Sequence, residues 1–136
     1  MKTAVDSSVL LDVLGADPRF GAASREAMRA AYDGGALVAC EIVWVEVRAH
    51  FPSDAEFHRA LDLLGVRFEA ITSDAAQLAG RLWRESRRAA RRPRDRLVAD
   101  FLIGAHAAQQ ADALLTRDRG FYRRSFRIHV IDPSEA

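Results

Sequence analysis

Short apolar runs of strand length alternate with helical stretches along the chain. That alternation narrows the fold to a parallel sheet covered by helices on both faces. Thr3 to Asp6 reads as a buried strand. Ser7 or Ser8 caps a helix through Leu14 that ends at Gly15, and a second helix, Ala22 to Tyr32, stops at the turn signal Asp33-Gly34-Gly35. Ala36 to Cys40 is the next strand. The helix from Glu41 to His50 ends at Phe51-Pro52, because the residue before proline is pushed out of the helical region. Ser53 with Glu56 three residues on forms a capping box for a helix to Leu64, followed by a strand over Val66 to Ala70. Thr72 or Ser73 caps a long helix to Ala90, broken by Pro93. Asp95 to Gln110 is helical, with Leu97, Phe101, Gly104, Ala105 and Ala108 on its apolar stripe. Ala113 to Thr116 and Ile128 to Ile131 are the last strands, separated by a turn or short helix over Gly120 to Arg124.

In a sheet of this kind, ligands bind beyond the carboxyl ends of the strands, at a switch in strand order. Two acids stand at such ends: Asp6 after the first strand and Asp118 after Ala113 to Thr116. Glu46 and Asp100 lie in helices that would pack near them. At about 5 Å and an effective dielectric of about 20, each like-charge pair costs roughly 3 kcal/mol. Four converging acids therefore call for protons or cations, and an oxygen-only donor set selects a hard ion such as Mg²⁺ or Mn²⁺.

Each acid also has an ordinary reading. Asp6 could cap the first helix, though Ser7 and Ser8 could do so instead and free its carboxylate. Glu46 is flanked by Ile42, Val43, Val45 and Val47, which leave little exposed face, so it needs a partner or an ion. Glu41, at the same helix start, complements the helix dipole and reads as structural. Asp100 lies inside an apolar run and could pair with Arg96 four residues earlier. Asp118 could be a turn residue, Asp95 an N-cap, and Asp12 a solvent-facing position on the first helix.

The rest of the composition excludes more than it adds. The 136 residues, 49% hydrophobic, suffice for one globular domain with a core of its own. No apolar run reaches the roughly 18 residues of a membrane-spanning helix, and the start of the chain does not read as a signal peptide. Cys40 alone makes no internal disulfide, fits a reducing compartment and reads as a small buried residue. His50, His58, His106 and His129 have no ligand spacing, so a zinc site has no support. Neither a phosphate-binding loop nor a dinucleotide fingerprint is present. The net charge is only +1, but residues 81–96 hold Arg81, Arg84, Arg87, Arg88, Arg91, Arg92, Arg94 and Arg96 against the acids Glu85 and Asp95. A cluster of that kind fits phosphate. The alternatives are a solvated helix face and the arginine bias of a GC-rich coding sequence.

Together these residues resemble the PIN-domain nucleases, and among them the VapC-like toxins of toxin–antitoxin pairs. Val5-Asp6-Ser7-Ser8-Val9-Leu10-Leu11 is similar to the family's first acidic motif, and Val45-Glu46-Val47 to its second. The third is matched by Asp100-Phe101-Leu102-Ile103-Gly104-Ala105-His106-Ala107, and the fourth by Leu115-Thr116-Arg117-Asp118-Arg119-Gly120-Phe121. Val130-Ile131-Asp132-Pro133 resembles the closing strand. The resemblance covers essentially the whole chain. It implies a single PIN-like nuclease domain over residues 1–136, built as a three-layer α/β/α sandwich around a short parallel sheet. It also implies Mg²⁺-dependent RNA cleavage, with Mn²⁺ as a substitute, in the cytoplasm. The catalytic and metal-holding set would be Asp6, Glu46, Asp100 and Asp118, with Ser8 and Thr116 as secondary site residues. Arg87, Arg88, Arg91, Arg92, Arg117 and Arg119 would hold the RNA backbone. The implied partners are a second copy of the chain and a cognate antitoxin, with DNA reached only through that antitoxin and no membrane. The antitoxin's C-terminal tail would occupy the groove near Asp6, Glu46, Asp100 and Asp118, displacing metal or blocking RNA, and dock on apolar residues of the second and fourth helices, such as Met28, Phe57 and Leu61.

Three other classes compete. A receiver-type phospho-acceptor domain also gathers acids at sheet ends but needs a late lysine, and the chain has none after Lys2. A phosphatase of small substrates fits the arginine cluster less well than a polymer does. A metal-binding PIN-like module working mainly in a DNA-associated complex with its antitoxin would not need every acidic motif intact.

Overall fold

A computed structural model describes residues 1–89 and 97–135. Its elements run in the expected alternation: β1 (Lys2–Val5), α1 (Ser7–Leu14), α2 (Gly21–Asp33), β2 (Ala36–Ala39), α3 (Glu41–Arg48), α4 (Asp54–Leu64), β3 (Val66–Phe68), α5 (Ser73–Ala89), α6 (Val98–Gln110), β4 (Ala113–Leu115), α7 (Arg119–Ser125) and β5 (His129–Ile131). The expected helix over Asp95 to Gln110 is described from Val98 onward. The break at Pro93, the cap at Asp95 and the Arg96 partner for Asp100 lie outside the described residues.

All five strands are parallel, in the order β3-β2-β1-β4-β5. The chain steps outward from the central β1 through β2 to β3, then returns to the other side of β1 for β4 and β5. Right-handed crossovers taken in opposite directions place helices on both faces of the sheet, which makes the three layers. The strand order reverses beside β1, so a cleft opens between the ends of β1 and β4. Register fixes what meets there. Val5 lies opposite Leu115, and the Asp6 amide donates to the Leu115 carbonyl at 2.9 Å, so Asp6 leaves the sheet beside Thr116.

The strands carry their apolar side chains into a core that includes Val5, Leu37, Val38, Leu114 and Leu115, all at most 1% exposed. The helices seal it with Val9 and Leu10 of α1, Val43 and Val47 of α3, and Phe101 of α6, whose ring meets Phe121 edge-on at 5.2 Å. Cys40 is buried among them. Gly104 lets α6 lie against Phe126, because a β-carbon there would fall 2.2 Å from that ring. Local signals close the helices: the Ser53 hydroxyl accepts from the Glu56 amide at 3.2 Å, and Gly65 ends α4 in the left-handed conformation at φ 73°. Among the described residues, no helix is long and apolar enough to cross a membrane.

Two expectations are corrected. Phe57 and Leu61 are 2% and 1% exposed and belong to the core, and Met28 is 4% exposed. A helix carries more apolar residues than its neighbours leave uncovered, and these three are on the covered side. The uncovered ones nearby are Tyr32 and Leu63, 54% and 83% exposed. With Val13, Met28 and Leu64 they line a groove of about 400 Å³ between α1, α2 and α4. Asp12 is also not solvent-facing: it is 4% exposed.

Candidate metal-binding and nuclease site

The four acids arrive from four elements at one place. Asp6 follows β1, Glu46 projects from α3, Asp100 sits in the first turn of α6, and Asp118 immediately precedes α7. Together with Ser7, Ser8, Ile103 and Arg117 they line an open cleft of about 320 Å³.

Asp6 is its innermost acid. Its backbone occupies the N-cap position of α1, yet its side chain makes no capping bond. Ser7 and Ser8 do not cap either, since both lie within the helix. The carboxylate instead takes the Thr116 hydroxyl at 2.7 Å and, more distantly, the Ser8 hydroxyl at 3.4 Å, with the Ser7 oxygen 3.5 Å away. Burial holds the Asp6 carboxyl above the ordinary carboxylate range. Hydrogen bonds from Thr116 and the Ser7 backbone pull the other way, and the charges of Glu46 and Asp100 add to the upward push. Thr116 is fully buried, and its hydroxyl also accepts from the Asp118 amide at 3.0 Å. One side chain thus ties the innermost acid to the backbone of the last.

Glu46 and Asp100 also have partners within the fold. The Ser7 hydroxyl donates to Glu46 at 2.9 Å. Glu46 is exposed and its neighbour Val45 is 69% exposed, contrary to the crowded setting expected from the flanking valines. The buried stripe of α3 is Val43 and Val47, and Glu46 lies off it, facing the cleft. Asp100 accepts from the Leu97 amide at 3.2 Å. Glu41 has the structural role expected of it, accepting from the Ile71 amide at 2.8 Å.

The donor chemistry fits a hard cation. The cleft offers carboxylates and hydroxyls, and buried Asp6 is held by neutral donors with two further negative charges nearby. Among the described residues, no three His, Cys, Asp or Glu side chains are gathered tightly enough to form a ligand set unaided. Mg²⁺ retains several waters and is usually held through only one or two carboxylates, so an open cleft of this kind suits it.

The arginines separate into three groups. Arg87 and Arg88 are exposed on the last turn of α5, and the Arg87 guanidinium lies 4.9 Å from the Trp83 ring centre. Arg91 and Arg92 lie outside the described residues. Arg117 and Arg119 are engaged within the fold. Arg117 forms a two-pronged pair with Asp12, at 2.7 and 3.0 Å, and Arg119 reaches Asp132 at 2.9 Å.

Ser7 and Asp12 are the polar residues near the cleft that the sequence reading did not assign to it. Ser7 carried only a capping signal. Asp12 carried a usable one: Leu10, Leu11, Val13 and Leu14 surround it, so α1 has little solvent face to offer a charge.

The PIN domain family model matches residues 3–127. Among solved structures, VapBC2 from Rickettsia felis, bound to a DNA fragment from its promoter, matches with a TM-score of 0.74 at 14% identity, covering 97% of this chain and 98% of that one. VapBC-1 from nontypeable Haemophilus influenzae matches with a TM-score of 0.71 at 18% identity, covering 99% and 100%. VapC20 from Mycobacterium tuberculosis, a sarcin-ricin loop cleaving toxin, matches with a TM-score of 0.59 at 16% identity, covering 92% and 96%. At these identities the likeness is one of fold. No curated protein matches the chain by sequence.

Proposed function

The chain belongs to the PIN domain family, and from that premise we propose that residues 1–136 act as one Mg²⁺-dependent endoribonuclease domain, the toxin of a toxin–antitoxin pair. The observation that carries this reading is the cleft itself, where Asp6, Glu46, Asp100 and Asp118 converge around a buried carboxylate held by neutral donors. Asp6, Glu46, Asp100 and Asp118 are the proposed ligands, directly or through water. When bound, Mg²⁺, or Mn²⁺ in its place, activates a water against the scissile phosphodiester and offsets charge on the leaving oxygen. The chain's own residues prepare the cleft. Thr116 and Ser8 aim the Asp6 carboxylate, Ser7 steadies Glu46, and the Leu97 amide orients Asp100. No side chain is required as a nucleophile. Arg87 and Arg88, with Arg91 and Arg92, are the proposed contacts to the RNA backbone. Arg117 lines the cleft, and both it and Arg119 already spend hydrogen bonds within the fold.

The proposed setting is the cytoplasm, as a homodimer, with DNA contacted only through the antitoxin. Similar structures include a toxin–antitoxin complex and several complexes on DNA, which supports such a partner. The groove lined by Tyr32, Leu63 and Leu64, with Arg25, Arg29, Asp33 and Asp62 beside them, is the proposed dock for the antitoxin tail.

The test is cleavage of RNA by the purified chain. Activity is expected with Mg²⁺ or Mn²⁺, to be lost in EDTA and restored on adding the metal back. Asp6→Asn, Glu46→Gln and Asp100→Asn are each expected to lower it by orders of magnitude while leaving the protein folded. Undiminished cutting in chelator, or by Asp100→Asn, would overturn the reading.

A further inference from the structure

We propose that Asp12 is a positioning residue for the acidic cleft, acting through Arg117; the proposal rests on the nuclease reading above. The Asp12 side chain is 5% exposed and uses both oxygens. Oδ2 takes Arg117 Nε at 2.7 Å and the Ser24 hydroxyl at 2.9 Å, and Oδ1 takes Arg117 Nη2 at 3.0 Å. The Arg117 guanidinium also lies over the Phe20 ring, 4.1 Å from its centre. One edge of the fork is therefore fixed by a carboxylate and one face by an aromatic ring. A planar guanidinium held in this way has little freedom left.

What matters is where this immobilised arginine sits in the chain. Arg117 lies between Thr116, whose hydroxyl holds Asp6, and Asp118, whose amide donates back to Thr116. That three-residue segment follows β4 and carries the fourth acid into the cleft. Its tether runs to α1 through Asp12, to the start of α2 through Phe20, and to the body of α2 through Ser24. The pair is partly buried and spans 105 positions in sequence. A shift of about 1 Å in a reacting group can cost about a hundredfold in rate, so a tether on this segment bears on turnover without touching the substrate.

A general brace of the fold would make a different prediction from a positioning device. Asp12→Asn keeps the shape and removes the charge, and Arg117→Lys keeps the charge and loses the fork. Ser24→Ala is a milder third variant, for use if either of the others fails to fold. Amide hydrogen exchange is measured on metal-free protein, alongside kcat and KM for RNA cleavage in Mg²⁺. The expected result is faster exchange at the Asp118 amide, by about tenfold or more, with β2 amides still protected as in wild type. The expected kinetic result is a kcat lower by about 10- to 100-fold with KM nearly unchanged. Wild-type protection at Asp118 overturns the proposal, as does a uniform rise in exchange across β1, β2 and β4, or an unchanged kcat. If wild-type protein cuts no RNA, the nuclease reading fails separately, and local against uniform exchange alone decides whether Asp12 positions the segment.

Discussion

At the scale of single residues, Thr116 does the most for its size. It donates to the Asp6 carboxylate and accepts from the amide of Asp118, so one hydroxyl joins the acid after β1 to the backbone of the acid after β4. Thr116→Val keeps the shape and removes both bonds. Leaving buried polar groups without a partner costs about 1–3 kcal/mol, so the urea midpoint is expected to fall and RNA cleavage with it, whereas Thr116→Ser should restore most of both. Unchanged stability and cleavage in Thr116→Val would contradict its proposed role. The acids themselves were legible in the sequence, because each sits at a strand end or within an apolar helix where a charge needs a reason. Their partners were not. Asp12 looked solvent-facing because the spacing of one helix cannot show a serine on the next helix or an arginine 105 positions on.

At the scale of elements, apolar runs, caps and prolines placed every strand and helix to within a few residues where the structure describes them. Exposure is where sequence and structure differ: the valines flanking Glu46 predict a crowded setting, yet it lies open to the cleft, because α3 buries only one stripe. The sequence also gave no sign of how α6 is tied beneath the sheet. His106 on α6 is 1% exposed and bonds Glu69 at 2.9 Å, and Glu69 also pairs with Lys2 of β1. Burial lowers the pKa of His106, against the opposing pull of Glu69 and Glu41. Burial also acts to raise that of Glu69, but its bonds to Lys2 and His106 win and hold it low. The sign follows for both. A depressed folded pKa gives stability that is complete above the unfolded value and is lost as the pH falls. Urea midpoints are therefore expected to decline as the pH drops below about 6.5, the ordinary imidazole value. His106→Gln should flatten the upper part of that decline; an identical slope in the variant would show that the imidazole does not set it.

At the scale of the whole molecule, the alternation of strands and helices announced a parallel sheet, but not which apolar residues the packed helices would leave bare. Helical spacing shows that α2 and α4 each have an apolar face. Only their packing shows that Phe57 and Leu61 are covered while Leu63 is 83% exposed. If the groove between α1, α2 and α4 receives the antitoxin, Leu63→Arg is expected to fold normally and yet fail to co-purify with an antitoxin encoded beside it, as read by size-exclusion chromatography after co-expression. A complex that forms as before would place the contact elsewhere.

The central strand of this sheet is also the first to be synthesised. β1 pairs on one side with β2, which follows within about forty residues, but on the other with β4, so that Thr3 waits for Ala113. Contacts between such distant parts of a chain form late. A growing or broken polypeptide that stops short of β4 carries Asp6, Glu46 and Asp100, but neither the hydroxyl that aims Asp6 nor Asp118. Such a chain therefore holds three of the four acids without the segment that joins the first to the last.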